Sequence, residues 1–207
     1  LKENDEIIQT IEVNNKAELL MFSDKQNVYK IKCYDLAECK TSSIGDYLNN
    51  ILVMDADEKI IYITNSNQYK GYMLFVYENG KIAKVTMSSY ETKTMRKKLI
   101  NAYSDKANLV SAIYIPNDMD IVLVRDNDKA MLLNTELIPE KQTKSTAGVN
   151  VYTLKKNSKL TRVINKDAFK SENIEYYRST KIPGTGHFIN DSDKDFNNFP
   201  KQMNLFN

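Results

Sequence analysis

A repeat of about 50 residues constrains this chain more than any other feature of its sequence. A short segment that begins with a polar residue and continues with apolar ones occurs four times. Its central apolar residues, Ile8, Ile60, Val110 and Leu160, are separated by 52, 50 and 50 positions. The four copies are Glu6–Ile11, Glu58–Ile63, Asn108–Ile113 and Ser158–Val163. Self-similarity at such a period is typical of blades in a propeller-like array.

A β-hairpin pattern repeats with nearly the same period. The clearest copy has an apolar strand, Tyr72–Tyr77, a turn at residues 78–81 and a return strand, Ile82–Val85. The dipeptide Asn79-Gly80 predicts a type I′ turn, in which both residues have positive φ. The strand Tyr72–Tyr77 is apolar on both faces, so we expect both faces to be buried. Related hairpins are predicted at residues 20–31 and 122–133.

A basic loop follows each predicted hairpin. The loops begin at Lys40, Lys93 and Lys144, which are 53 and 51 positions apart. Together the repeats predict an all-β fold of three to four four-stranded blades, open or incomplete, within residues 1–165. We expect blades near 6–57, 58–107 and 108–157 and a partial fourth. The alternative is an irregular β-sandwich whose strands align by chance.

The segment after the repeats has a different composition. Residues 166–207 contain a Pro-Gly-Thr-Gly stretch and a run of polar residues, which predict a largely flexible tail. One short helix could form within Asp167–Tyr176. Because the chain begins at Leu1 rather than at a methionine, we expect it to be a fragment or a processed product.

Composition limits the classes of function. The chain carries a net charge of +2, has no apolar run long enough to span a membrane and has two cysteines, Cys33 and Cys39. These features predict a cytoplasmic protein without a disulfide framework. The only histidine is His187, so neither a histidine-rich metal site nor a histidine-based catalytic pair is supported. We predict no catalytic residue, metal site or cofactor in this chain, which also argues against a propeller enzyme.

The series of segments resembles a known family. Three segments are similar to blades in the C-terminal domains of the A subunits of the bacterial type IIA topoisomerases, which are gyrase and topoisomerase IV. The segments are residues 22–36, Asp57–Ile60 and the loop Ser145–Val149. The resemblance covers roughly residues 6–165. The gyrase hallmark loop, Gln-Arg-Arg-Gly-Gly-Lys-Gly, is absent from this chain. Its absence favours topoisomerase IV and leaves a truncated gyrase open, because the hallmark belongs to the first blade of the family.

The resemblance implies a fold and a function. The family fold is a β-pinwheel, a propeller-like disc whose neighbouring blades exchange strands and whose basic rim bends and wraps double-stranded DNA. The longer protein would then carry out DNA strand passage, a reaction that uses ATP and Mg²⁺. In it this domain would act with the rest of its own chain and with an ATPase subunit. Strand passage changes supercoiling or decatenates DNA. The resemblance implies no catalysis in this domain.

Basic residues that recur in phase with the blades are the candidates for DNA contact. Lysine and arginine bind phosphates without reading sequence, and a curved basic surface stabilises bent DNA. A charged surface that only faces water is the alternative interpretation of these residues, and a protein-interaction propeller without DNA binding is the alternative function. The candidates are Lys30, Lys40, Lys84, Lys93, Arg96, Lys97, Lys98, Lys129, Lys141 and Lys144.

The last residues suggest a second partner. Residues 202–206 match the Gln-Leu-x-Leu-Phe peptide that bacterial replication proteins present to the sliding clamp, with Met203 in place of the first leucine. The matching residues are Gln202, Met203, Leu205 and Phe206. A polar tether before apolar anchors suits such a peptide. Apolar residues at a chain end could also occur by chance or pack against the last blade.

Overall fold

Thirteen β-strands dominate the computed structural model, which describes residues 6–40, 43–94, 96–126 and 128–197. Two short α-helices accompany them, α1 (Leu48–Leu52) and α2 (Asp191–Phe196). In chain order the strands are β1 (Glu18–Ser23), β2 (Val28–Lys32), β3 (Ile60–Asn65), β4 (Tyr72–Tyr77), β5 (Lys81–Thr86), β6 (Lys98–Leu99), β7 (Leu109–Ile115), β8 (Asp120–Arg125), β9 (Lys129–Asn134), β10 (Glu140–Lys141), β11 (Val149–Asn150), β12 (Leu160–Asn165) and β13 (His187–Phe188).

The strands form three sheets, each built around one hairpin. Sheet 1 has the order β3-β1-β2-β6, and sheet 3 has the order β12-β8-β9-β13. Sheet 2 has β7, β4 and β5 in order, and β5 also pairs with β10 and β11. The prediction of an all-β fold is therefore confirmed, with two sheets of four strands and one sheet of five.

Neighbouring repeats exchange strands in all three sheets. The hairpin β1–β2 lies between β3 and β6, and both of these come from later in the chain. The same relation holds for β4–β5 with β7 and β11, and for β8–β9 with β12 and β13. We call β3, β7 and β12 the inner strands, and β6, β11 and β13 the outer strands. A sheet therefore does not coincide with one contiguous repeat.

The three hairpins share one turn geometry, and it is not the predicted type I′ turn. Each loop has three residues, of which the third has positive φ: Gln26 at 56°, Gly80 at 80° and Asp128 at 51°. Asn79 lies outside the positive-φ region, so the prediction of two such residues in this turn was wrong. A three-residue hairpin loop needs only one left-handed residue, at its end. A side chain at Gly80 would also clash with the carbonyl oxygen of Tyr152.

Apolar side chains fill the space between adjacent sheets. Strand β4 is buried on both faces from Met73 to Tyr77, as the sequence predicts. Between sheets 1 and 2, the ring of Phe22 lies 5.6 Å from that of Phe75 and 5.4 Å from that of Tyr90. Leu74 on the other face of β4 packs with residues of sheet 3, including Leu123 and Met131. The sheets are thus stacked with a continuous core on both sides of sheet 2.

Part of the predicted flexible tail is folded. Residues 166–197, which we call the cap segment, cover the outward face of sheet 3 with Phe169, Tyr177 and Ile189, all at most 4% exposed. The segment also supplies β13. It was not recognised because its apolar residues are widely spaced among polar ones. The predicted helix within Asp167–Tyr176 is replaced by 3-10 turns at Lys166–Ala168 and Ile174–Tyr177.

Polar contacts hold the cap segment in place. Arg178 Nη2 lies 2.8 Å from Asp120 Oδ2 in β8, and Arg178 also pairs with Glu175. The hydrogen bonds from Arg178 lower the pKa of Asp120 to about 2. The Tyr177 hydroxyl donates to Asp193 Oδ2 at 2.6 Å.

Neither α-helix in the described ranges has the length and apolar character to cross a membrane.

Candidate nucleic-acid interface

Two of the predicted DNA contacts are buried between sheets. Lys30 is 7% exposed, and its Nζ donates to Tyr69 Oη at 2.9 Å and to Thr92 Oγ1 at 3.2 Å. Burial lowers the pKa of Lys30. Lys84 is 4% exposed, and its Nζ lies 2.5 Å from Asp118 Oδ1 and 4.5 Å from the centre of the Tyr72 ring.

These two lysines occupy equivalent positions in successive hairpins. Lys30 in β2 reaches Tyr69 and Thr92, which flank the next hairpin, β4–β5. Lys84 in β5 reaches Asp118 and the carbonyl oxygen of Thr135, which flank the hairpin β8–β9. Each lysine therefore ties one sheet to the next. Lys30 and Lys84 recur in the repeat because each makes this contact between sheets. Since both are buried, they are not available to phosphates, and we remove both from the interface.

The replacement Lys84→Met tests this reassignment. We expect DNA affinity to stay within about twofold of the parent protein, because a buried ammonium releases no counterion from DNA. The free energy of unfolding should fall by about 2 kcal/mol, since Asp118 loses its cationic partner and keeps only the hydrogen bond from the Thr135 hydroxyl. Fluorescence anisotropy with a labelled duplex and urea unfolding measure the two effects, with the exposed Lys97→Met as the comparison. A large loss of DNA affinity in Lys84→Met would contradict the reassignment.

The other predicted basic residues are at least partly accessible. Lys93, Arg96 and Lys97 are exposed on the loop before β6, and in the described part of the chain none of them pairs with a carboxylate. Lys40 and Lys141 are exposed, whereas Lys129 and Lys144 are half-buried. Lys129 lies in β9, and its Nζ is 4.3 Å from the centre of the Phe188 ring in the neighbouring strand β13.

Lys98 joins the basic loop to sheet 1. Its Nζ lies 3.9 Å from Glu58 Oε2 and 5.1 Å from the centre of the Tyr29 ring. Its interactions with the Tyr29 hydroxyl and with Glu58 raise its pKa. Lys98 thus remains cationic, and the strand β6 is held against β2 with the loop 93–97 at the outer edge.

The buried carboxylate of Glu58 stabilises the part of sheet 1 that Lys98 contacts. Glu58 has a fully buried side chain that accepts hydrogen bonds from the Ser23 hydroxyl, from Asn27 Nδ2 at 2.8 Å and from the Tyr29 hydroxyl at 2.6 Å. Burial alone would raise its pKa, but the hydrogen bonds outweigh it and lower the pKa to about 2. The network joins the first hairpin turn to the residues before β3.

The loops before the outer strands recur around the stack. Residues 93–97 precede β6, residues 142–148 precede β11 and residues 179–186 precede β13. The last of these loops carries the exposed Lys181, which sequence reasoning missed because it treated the whole segment as a tail. The sequence carries no signal for it, because Lys181 follows Lys144 by 37 positions, off the period of 51 to 53, and its place six positions before β13 is visible only in the structure.

The remaining sequence features have structural surroundings. Gly184, in the Pro-Gly-Thr-Gly stretch, accepts from Thr153 N at 2.7 Å and donates to Val151 O at 2.9 Å, which ties the loop to the chain after β11. Cys33 and Cys39 are free thiols. The His187 ring lies 4.9 Å from the Tyr176 ring. The predicted clamp-binding residues, Gln202, Met203, Leu205 and Phe206, lie outside the described residues.

Comparison with known proteins supports the resemblance seen in the sequence. No protein-family model matches the chain. The A subunit of DNA topoisomerase 4 from Staphylococcus epidermidis is 25% identical over 158 residues, covering 75% of this chain and 20% of that protein. Its counterpart from Staphylococcus aureus gives the same values. The chain thus spans about a fifth of the length of the curated relatives it matches.

Solved structures agree on the fold. A crystal structure of the C-terminal domain of DNA topoisomerase IV has a TM-score of 0.71 at 21% identity, covering 91% of this chain and 63% of that one. A DNA gyrase A C-terminal domain has a TM-score of 0.60 at 21% identity, covering 90% and 64%. The E. coli ParC C-terminal domain has a TM-score of 0.63 at 10% identity, covering 87% and 80%. The chain is thus a homologue of the topoisomerase IV A subunit over 75% of its length, and it has the β-pinwheel fold of the C-terminal domains of topoisomerase IV and gyrase A.

Proposed function

We propose that this domain binds duplex DNA along the outer edge of its sheets without reading the base sequence. The observation that carries the proposal is the loop before β6, where Lys93, Arg96 and Lys97 are exposed and lack carboxylate partners within the described ranges. Such cations are available to phosphates, and binding them releases counterions from DNA. Their contacts position the duplex, while sequence readout would need side chains that reach base edges.

The proposed contact set differs from the one predicted from sequence. Lys30 and Lys84 are left out because they are buried, and Lys181 is added because it lies on the third loop of the same kind. Cations on loops at the same edge of successive sheets would favour a duplex that follows the curvature of the stack. The contact set is Lys40, Lys93, Arg96, Lys97, Lys98, Lys129, Lys141, Lys144 and Lys181.

The similarity to the A subunit of topoisomerase IV supports a wider proposal for the longer protein. We propose that it is the corresponding chain of an ATP-dependent type II topoisomerase, which works in the cytoplasm with Mg²⁺ and an ATPase subunit. In that enzyme this domain would hold DNA for strand passage, so that supercoiling changes or linked duplexes separate. The reacting groups would lie in other parts of the enzyme. The sliding clamp remains a proposed partner of residues 202–206.

Binding measured at several salt concentrations tests the proposal. If about four phosphates are contacted, a plot of log affinity against log salt should have a slope of roughly −3.6. Two labelled duplexes of unrelated sequence should give the same affinity within about threefold. A flat salt dependence would contradict phosphate binding, and absence of DNA binding at low salt would favour a protein-interaction domain instead.

A further inference from the structure

The outer strand of sheet 3 carries aromatic side chains that the other two outer strands lack. β13 consists of His187 and Phe188, whereas neither β6 nor β11 contains an aromatic residue. Phe188 is 63% exposed, and Tyr176, whose ring lies 4.9 Å from that of His187, is 41% exposed. The next residue along the chain, Ile189, is buried beneath the cap segment. We call Tyr176, His187 and Phe188 the aromatic edge.

The exposure of the aromatic edge does not come from a missing neighbour. Sheet 3 packs against sheet 2 on one face and against the cap segment on the other, each through a buried apolar cluster. Successive side chains of a strand point to opposite faces, so His187 and Phe188 lie on the two sides of β13. Both stay exposed although the sheet is covered on both faces.

Hydrogen bonds before and after β13 hold the aromatic edge in position. Gly184 N donates to the Val151 carbonyl oxygen at 2.9 Å, and Ile189 N donates to the Asp128 carbonyl oxygen at 2.8 Å. The strand itself pairs with β9. A ligand that stacks on rings supported in this way pays little for ordering them, which favours binding.

Two cations accompany the aromatic edge. Lys129 Nζ lies 4.3 Å from the centre of the Phe188 ring, and Lys181 is exposed on the loop before β13. Asp128, which precedes Lys129 in the chain, pairs with Lys194 at 3.7 Å. Lys129 and Lys181 both belong to the proposed DNA contact set, so the rings lie beside the proposed path of DNA.

Exposed rings beside cations are the combination that binds single-stranded nucleic acid. Phosphates contact the cations while the bases stack on the rings, whatever the base sequence. In a duplex the bases are paired and stacked on each other, and exposing one of them costs free energy. The aromatic edge therefore favours DNA whose bases are already unpaired.

We propose that the aromatic edge is a stacking site for unpaired DNA bases, with Phe188 on one side of β13 and Tyr176 and His187 on the other. The site rests on the proposed function, because Lys129 and Lys181 would hold the phosphates that flank the stacked bases. It is confined to sheet 3, since β6 and β11 offer no ring. The domain would then bind a single-stranded or locally opened segment here and duplex along the rest of its outer edge.

A tryptophan reporter tests the stacking directly. The chain has no tryptophan, so Phe188→Trp introduces one fluorescent side chain that can also stack. We expect a single strand of about 15 thymidines to quench its emission by about twofold at saturation. A duplex of equal length should leave the emission nearly unchanged. Phe196→Trp is the matched control, because Phe196 is 51% exposed but lies at the end of α2, and its emission should not respond.

The variant Phe188→Leu keeps an apolar side chain and removes the ring. We expect its affinity for the single strand to fall about tenfold, while its affinity for duplex stays within about twofold of the parent protein. Tyr34→Leu is the control, since Tyr34 is 58% exposed in the first repeat, and it should bind both forms as the parent does. Fluorescence anisotropy measures the affinities, and circular dichroism checks that each variant is folded.

The outcomes separate this proposal from the proposed function. Stacking of unpaired bases is overturned if the parent protein does not bind the single strand, if Phe188→Leu binds it as tightly as the parent, or if duplex quenches the introduced tryptophan equally. Duplex binding that persists in any of these cases leaves the proposed function intact. Binding of the single strand without binding of duplex would contradict the proposed function and support the aromatic edge.

Discussion

Replacing Lys93, Arg96, Lys97 and Lys98 together by alanine is expected to weaken binding to duplex DNA by about a hundredfold at 0.1 M salt. All four residues are exposed on the loop that ends in β6. Each lost phosphate contact removes one released counterion, and the effects of several contacts multiply. The plot of log affinity against log salt should become shallower in parallel. Fluorescence anisotropy at four or more salt concentrations measures both quantities.

A second variant with the same loss of charge controls for net charge alone. Four exposed lysines away from the loops before the outer strands serve this purpose: Lys16, Lys70, Lys106 and Lys155. Their combined replacement by alanine should lower affinity by less than about tenfold and leave the salt slope nearly unchanged. Equal losses in the two variants would mean that DNA binding reflects overall charge and not this loop.

The second large effect concerns Glu58. Replacing it by glutamine should lower the free energy of unfolding by about 3 kcal/mol at pH 7, because Ser23, Asn27 and Tyr29 lose a charged acceptor within the core. The exposed Asp57→Asn is the control and should leave stability unchanged, since its ion pair with Lys25 is open to solvent. Urea unfolding followed by circular dichroism measures the difference.

The pH dependence gives an independent test of the same network. The pKa of Glu58 is lowered from 4.5 to about 2 in the folded protein, so its contribution is complete above pH 4.5 and is lost as the pH falls toward 2. The glutamine variant should therefore lose less stability than the parent between pH 5 and pH 2. Asp120, whose pKa is also about 2, keeps its share of the acid loss in both proteins. Parallel stability curves would contradict the assigned role of Glu58.

The repeat period was enough to predict the sheets but not how the strands are shared among them. The strands of the hairpins and the inner strands are five to seven residues long and rich in apolar residues, which is long enough for their pattern to be read from the sequence. The outer strands β6, β11 and β13 have two residues each, too short for any periodicity. The strand exchange was therefore known only through the resemblance to a family.

Lysine spacing was a weaker guide, because a repeat aligns structural and surface residues alike. Lys30 and Lys84 recur in phase as faithfully as Lys93 and Lys144, yet burial reveals that the first two join sheets together. Sequence alone cannot separate these cases, since the partners Asp118 and Thr92 lie far along the chain. Lys181 was missed for the opposite reason. The loops at Lys93 and Lys144 each follow a hairpin, whereas no hairpin pattern precedes the loop that carries Lys181.

Photo-crosslinking from single positions tests most directly whether DNA lies along the outer edge. A benzophenone amino acid would be placed at Lys97, at Lys181 or, as the inner-edge control, at Lys106 in the turn before β7. We predict that the first two variants crosslink to one labelled duplex in proportion to its occupancy and that added salt abolishes both products. The Lys106 variant should give no product. Crosslinking from Lys106 alone, or none from Lys97 and Lys181 when the duplex is bound, would contradict the proposed interface.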